Sequence, residues 1–64
     1  MIDVEGGAGV YTATDRSSGN IVAVIYQTGR AGWWRGIVRK TRVREMYLPL
    51  ISDDPVKVAE RFLT

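Results

Sequence analysis

The chain has no cysteine and no histidine among its 64 residues. The first absence removes disulfides and thiol nucleophiles. The second removes imidazole as a general base and as the usual zinc ligand, so a catalytic triad, a thiol enzyme or a Cys/His metal centre has no parts to be built from. No enzymatic activity and no cofactor is therefore expected. The one carboxylate pair, Asp53-Asp54, stands where a helix should begin and reads as capping. The segment Gly6-Gly7-Ala8-Gly9 has no Lys-Ser/Thr ending and precedes an extended segment instead of opening a helix, so it reads as a flexible arm or turn and not as a phosphate loop. Long apolar runs are also missing: Ile21 to Tyr26 is far shorter than the roughly 20 residues of a membrane span. The start, Met1-Ile2-Asp3-Val4-Glu5, carries neither a basic n-region nor an apolar h-region. No signal peptide and no membrane association is expected, and a cytoplasmic protein is.

A further absence is the most informative one. Residues 16–44 contain no Asp and no Glu, yet hold seven of the nine basic side chains: Arg16, Arg30, Arg35, Arg39, Lys40, Arg42 and Arg44. The net charge of +2 conceals a run of −3 over residues 1–15, +7 over 16–44 and −2 over 45–64. Ordinary solvated faces mix signs. A segregated field of this kind points one surface at a polyanion, either a phosphate backbone or an acidic protein patch.

The length allows one domain, residues 1–64, whose core is small and whose stability is marginal. Residues 1–9 are expected to form a flexible N-terminal arm. Val10 to Thr14 favours a strand, and Asp15-Arg16-Ser17-Ser18-Gly19-Asn20 gathers turn formers after it. Ile21 to Thr28 is apolar on both faces, the pattern of a central strand covered on both sides or partly covered by a partner. After the turn at Gly29-Arg30-Ala31-Gly32, a strand from Trp33 to Arg39 sets Trp34, Gly36 and Val38 toward a core. Its other face carries Trp33, Arg35, Ile37 and Arg39 toward a partner. A fourth strand runs from Arg42 to Leu48 or Leu50, with Arg44 at its rim. Asp54 as N-cap and Pro55 at the first helical position open a helix over 54–63, with Val56, Ala59, Phe62 and Leu63 inward. The expected class is α+β: an antiparallel sheet of three or four strands, strongly bent in one version, followed by one C-terminal helix.

Arginines in this setting can pair bidentately with phosphate or a guanine edge, and Lys40 adds a point charge. A narrow β-ribbon fits the major groove of DNA, while a Trp beside an Arg can instead stack on unpaired bases. The candidate nucleic-acid-binding residues are Arg30, Trp33, Arg35, Arg39, Lys40, Arg42 and Arg44, with DNA or RNA as the partner. Trp33 can also be core, as Trp34 is expected to be. A homodimer would enlarge the core and double the basic surface.

Two resemblances follow from this layout. Gly9-Val10-Tyr11, Ser18-Gly19-Asn20 leading into Val22-Ala23-Val24-Ile25-Tyr26, Gly29-Arg30, and Tyr47-Leu48-Pro49-Leu50 ahead of Asp54 to Glu60 resemble the small DNA-binding domains of phage-type tyrosine recombinases and of the plant ethylene-response-factor family. That resemblance implies a three-stranded sheet inserted in the major groove and a regulatory or accessory factor of a phage or mobile element. Gly19 to Ile25, with Gly32-Trp33-Trp34-Arg35-Gly36 and Tyr47-Leu48-Pro49, is similar to the Src-homology type-three barrel. This second resemblance implies a protein-interaction module whose Trp33 lines a groove for a Pro-rich segment, or which docks an acidic partner.

Overall fold

The computed structural model describes residues 1–64 as five strands, β1 Ile2–Gly7, β2 Val10–Asp15, β3 Ile21–Gln27, β4 Trp33–Val38 and β5 Arg42–Tyr47, followed by helix α1 Pro55–Leu63. Every strand pairs antiparallel with the next, giving one sheet in the order β1-β2-β3-β4-β5. The α+β class stands, but the sheet has five strands where three or four were expected. The extra strand is β1. Residues expected to form a flexible arm pair with β2 from Ile2 opposite Asp15 to Gly7 opposite Val10. Ile2 and Val4 pack toward the core while Asp3 and Glu5 face away, the alternation of a half-covered edge strand. Arg16 fastens the start of this strand, its Nε donating to Asp3 Oδ1 at 3.1 Å and its backbone N–H to the Met1 carbonyl at 3.1 Å.

The helix lies on one face only. Ala13, Ala23, Ile25, Trp34 and Val38 from the sheet meet Val58, Ala59 and Phe62 from the helix in a core of eight buried apolar residues. Small side chains on the sheet let the helix approach. At Gly36 an added Cβ would lie 2.9 Å from Ile25 Cγ2 and 3.0 Å from Phe62 Cε2, so the Phe62 ring occupies the space a side chain would need. Full burial of Phe62 and Val58 stabilises the docked helix by about 1.5–3 kcal/mol each. The inward stripe is Val58, Ala59 and Phe62, whereas Val56, expected to face inward, is largely exposed in the first turn. Asp54 caps the helix as expected, its Oδ1 accepting from the Lys57 N–H at 3.3 Å.

Trp34 is core, 1 % exposed, and its indole N–H donates to Ser52 Oγ at 3.0 Å, which in turn donates to the Leu48 carbonyl at 2.7 Å. The tryptophan thus fixes the link between β5 and α1 without leaving a polar atom unpaired. No helix is long and apolar enough to cross a membrane.

Candidate functional site

A single nine-residue helix covers one side of a five-stranded sheet, so the other side is open. Strand alternation decides what it shows. Cross-strand register aligns Thr12, Val24, Ile37 and Val43 in one row and Val10, Tyr26, Arg35 and Glu45 in the next. Trp33 stands opposite Tyr47 at one end. The middle of this face is apolar and accessible, with Val43 66 %, Val10 51 % and Ile37 43 % exposed.

Charges frame that centre. In the meander, the β3–β4 loop lies at one end of β4 and the β4–β5 turn at the other, roughly 20 Å apart for a six-residue strand. At the first end the Arg30 guanidinium lies 5.0 Å from the centroid of the Trp33 ring, and the Trp33 and Tyr47 rings are 5.3 Å apart. A cation, an indole and a phenol therefore form one cluster, held partly by cation–π attraction of about 0.5–1 kcal/mol. Gly32, with φ of +80°, makes room for it, because a Cβ there would lie 2.8 Å from Tyr47 Cε1.

At the opposite end stand Arg39 and Lys40. The turn is closed by the Thr41 N–H donating to the Val38 carbonyl at 3.4 Å, and both central residues are left-handed, Arg39 at φ 52° and Lys40 at φ 71°. Val38 pairs with Arg42, so the loop has three residues, and its first two take the left-handed conformation that Asn and Gly adopt at least cost. Each residue with a Cβ in that conformation costs about 1 kcal/mol. The same sign pattern occurs in the β1–β2 turn, at Ala8 (φ 55°) and Gly9 (φ 83°), where the residues are small. Beside the cationic turn, Ile21, Val22, Val24 and Ile37 line a shallow apolar hollow of about 220 Å³ with Lys40 at its rim.

Of the seven residues expected to bind, the open face and its two ends carry five: Arg30, Trp33, Arg35, Arg39 and Lys40. Arg35 is not free, since its Nη2 donates to Glu45 Oε2 at 3.2 Å across β4 and β5. Arg42 opens β5 next to the turn, exposed at the sheet edge, and by strand alternation it shares the helix-side parity of Arg44. Arg44 departs from the set. Its parity points it to the helix side, where Nη1 donates to the Phe62 carbonyl at 2.7 Å and the Thr64 carbonyl at 3.3 Å. It therefore satisfies orphan carbonyls at the helix C-terminus, where a cation also complements the helix dipole. Arg16 and Arg35 form the two ion pairs of the molecule; of the other basic side chains Arg44 is bonded to carbonyls, Lys57 and Arg61 lie on the helix, and Arg30, Arg39, Lys40 and Arg42 lie at or beside the ends of the open face. Tyr26 and Tyr47 join the open face, while Tyr11 packs beneath it with Trp34 at a ring distance of 6.0 Å.

Comparison with protein-family models, with curated proteins and with solved structures gives no match for this chain.

Proposed function

We propose that this protein binds nucleic acid, DNA in the first instance, through the open face of β3, β4 and β5. The observation that carries this reading is a set of cations without carboxylate partners, Arg30 at one end and Arg39 and Lys40 at the other end of a face whose middle is aromatic and apolar, with Arg42 beside the turn at the edge of β5. Cations about 20 Å apart bracket a major groove about 12 Å wide, and the β4–β5 ribbon between them is narrow enough to enter it. Glu45 is the one acid on the open face of these three strands, and it is engaged by Arg35. The acids of β1, Asp3 and Glu5, stand at the far edge and orient the molecule by keeping that edge off phosphate. Arg44, bonded to the helix end, is not part of the contact set. The resemblance to recombinase-type domains agrees with a cytoplasmic regulatory or accessory factor of a phage or mobile element.

Fluorescence anisotropy of labelled duplex, single-stranded DNA and RNA tests this directly. With four phosphate contacts, duplex affinity near micromolar at low salt is expected to fall by about 100-fold between 50 and 200 mM salt. An Arg35→Ala/Arg39→Ala variant should bind more weakly. Absence of binding to all three by the folded protein rejects the reading.

A second reading rests on a separate observation, the exposed aromatic and apolar surface of Trp33, Tyr47, Ile37 and Val43. Such a surface suits a Pro-rich or acidic protein segment, or a second copy of the chain. Affinity for a protein segment seated on the apolar centre would change little with salt, which separates the two readings.

A further inference from the structure

We propose that the β4–β5 turn is the phosphate grip of this protein, and that its Arg39-Lys40 pair is held there against the preference of the backbone. The inference rests on the nucleic-acid reading above and assigns the ligand at this end of the sheet: the non-bridging oxygens of a phosphodiester backbone. Three observations converge on it. Arg39 and Lys40 both take left-handed backbone conformations, which disfavour their side chains. Neither side chain has a hydrogen bond or an ion pair within the molecule, so their charged ends are free for a ligand. The β1–β2 turn, a two-residue loop between Gly7 and Val10, also has two successive positive φ values and fills them with Ala8-Gly9, so positive φ does not by itself call for a cation.

The geometry also gives the pair a direction. A left-handed pair at the tip of a two-stranded ribbon carries successive side chains beyond the last paired residues, Val38 and Arg42. The tip therefore leads when the ribbon approaches a phosphate backbone. The Arg39 backbone N–H is already committed to the Val22 carbonyl at 2.9 Å, which anchors the tip to β3 and leaves the guanidinium and ammonium as the binding groups. Strained conformations that the surrounding structure maintains are concentrated at binding sites, and this one opposes stability to affinity.

The opposition makes the test. Arg39→Asn/Lys40→Gly puts residues that tolerate positive φ at both positions and removes both charges. It is expected to raise Tm by about 5 °C while lowering duplex affinity at least about 10-fold and reducing the slope of log affinity against log salt by about 2. Arg39→Gln/Lys40→Gln removes the charges and keeps the long side chains, so affinity should fall equally with no rise in Tm. Lys57→Gln/Arg61→Gln removes the same net charge from the helix and should leave the salt slope unchanged. If the Asn-Gly variant binds labelled duplex as tightly as the parent, the grip lies elsewhere, although the nucleic-acid reading survives. If its Tm does not rise, the turn is not held at a cost. If the parent protein itself does not bind duplex at about 50 mM salt, the nucleic-acid reading fails first, and the grip with it.

Discussion

Arg44 and the arginines around it differ in what surrounds them more than in what they are. Arg44 reaches two carbonyls at the end of α1, whereas the Arg39 side chain, five residues earlier, makes no hydrogen bond or ion pair in the molecule. Arg44→Ala is expected to lower stability by about 1–2 kcal/mol, read by thermal unfolding, with little effect on duplex affinity. Two carboxylates set the acid limit. Asp3 lies below its ordinary value of 3.8 because the Arg16 guanidinium hydrogen-bonds it, and Asp15 does so because the Ser17 hydroxyl and backbone N–H do. A carboxylate whose pKa is depressed by folding contributes its full stabilisation above the unfolded value and loses it as the pH falls through the folded one. Tm should therefore be level from pH 7 to about 5, with no histidine to titrate there, and fall below about 4. Arg16→Gln should reduce that acid-side fall, and a marked drop between pH 7 and 5 would contradict the assignment.

Among the elements, the hairpins and the helix seat carry the sharpest expectations. Ala8→Asn supplies a side chain that tolerates positive φ better than alanine in the β1–β2 turn and should stabilise by about 0.5 kcal/mol. Gly36→Ala presses a methyl group against Phe62 and Ile25 and should cost about 1–3 kcal/mol, seen as a fall in Tm. These elements were unequally legible in the sequence. Strands β2 to β5 announced themselves through β-branched and aromatic residues, and the Asp54-Pro55 start fixed the helix to within a residue. Strand β1 did not, because Ile2 and Val4 give two apolar alternations before glycines intervene, and Asp and Glu have low strand propensity. Its pairing is secured by tertiary contacts, the Arg16–Asp3 bridge and the helix, which no local pattern encodes. Val56 was misjudged because the helix seats on Val58, Ala59 and Phe62, a stripe that leaves position 56 exposed.

At the scale of the whole molecule, eight buried apolar residues make a small core, and the uncovered face sets what the protein can meet. The charge run from residue 16 to 44 foretold a basic surface, and the alternation of β4 foretold which face Trp33 and Arg35 share. Neither could show that Glu45 engages Arg35, that Arg44 turns to the helix, or that Tyr47 stacks on Trp33. Those facts depend on the register of β4 against β5. The central claim is that this face binds duplex DNA while the helix side stays free, and the two tryptophans provide an internal control. In a ¹⁵N–¹H correlation spectrum titrated with duplex DNA, the indole N–H of Trp33 and the amides of Ile37, Arg39, Lys40 and Arg42 should shift. The indole N–H of Trp34, bonded to Ser52 in the core, and the amides of Lys57 and Arg61 should stay in place. Shifts confined to the helix, or none at duplex concentrations above those that saturate binding, would contradict the account.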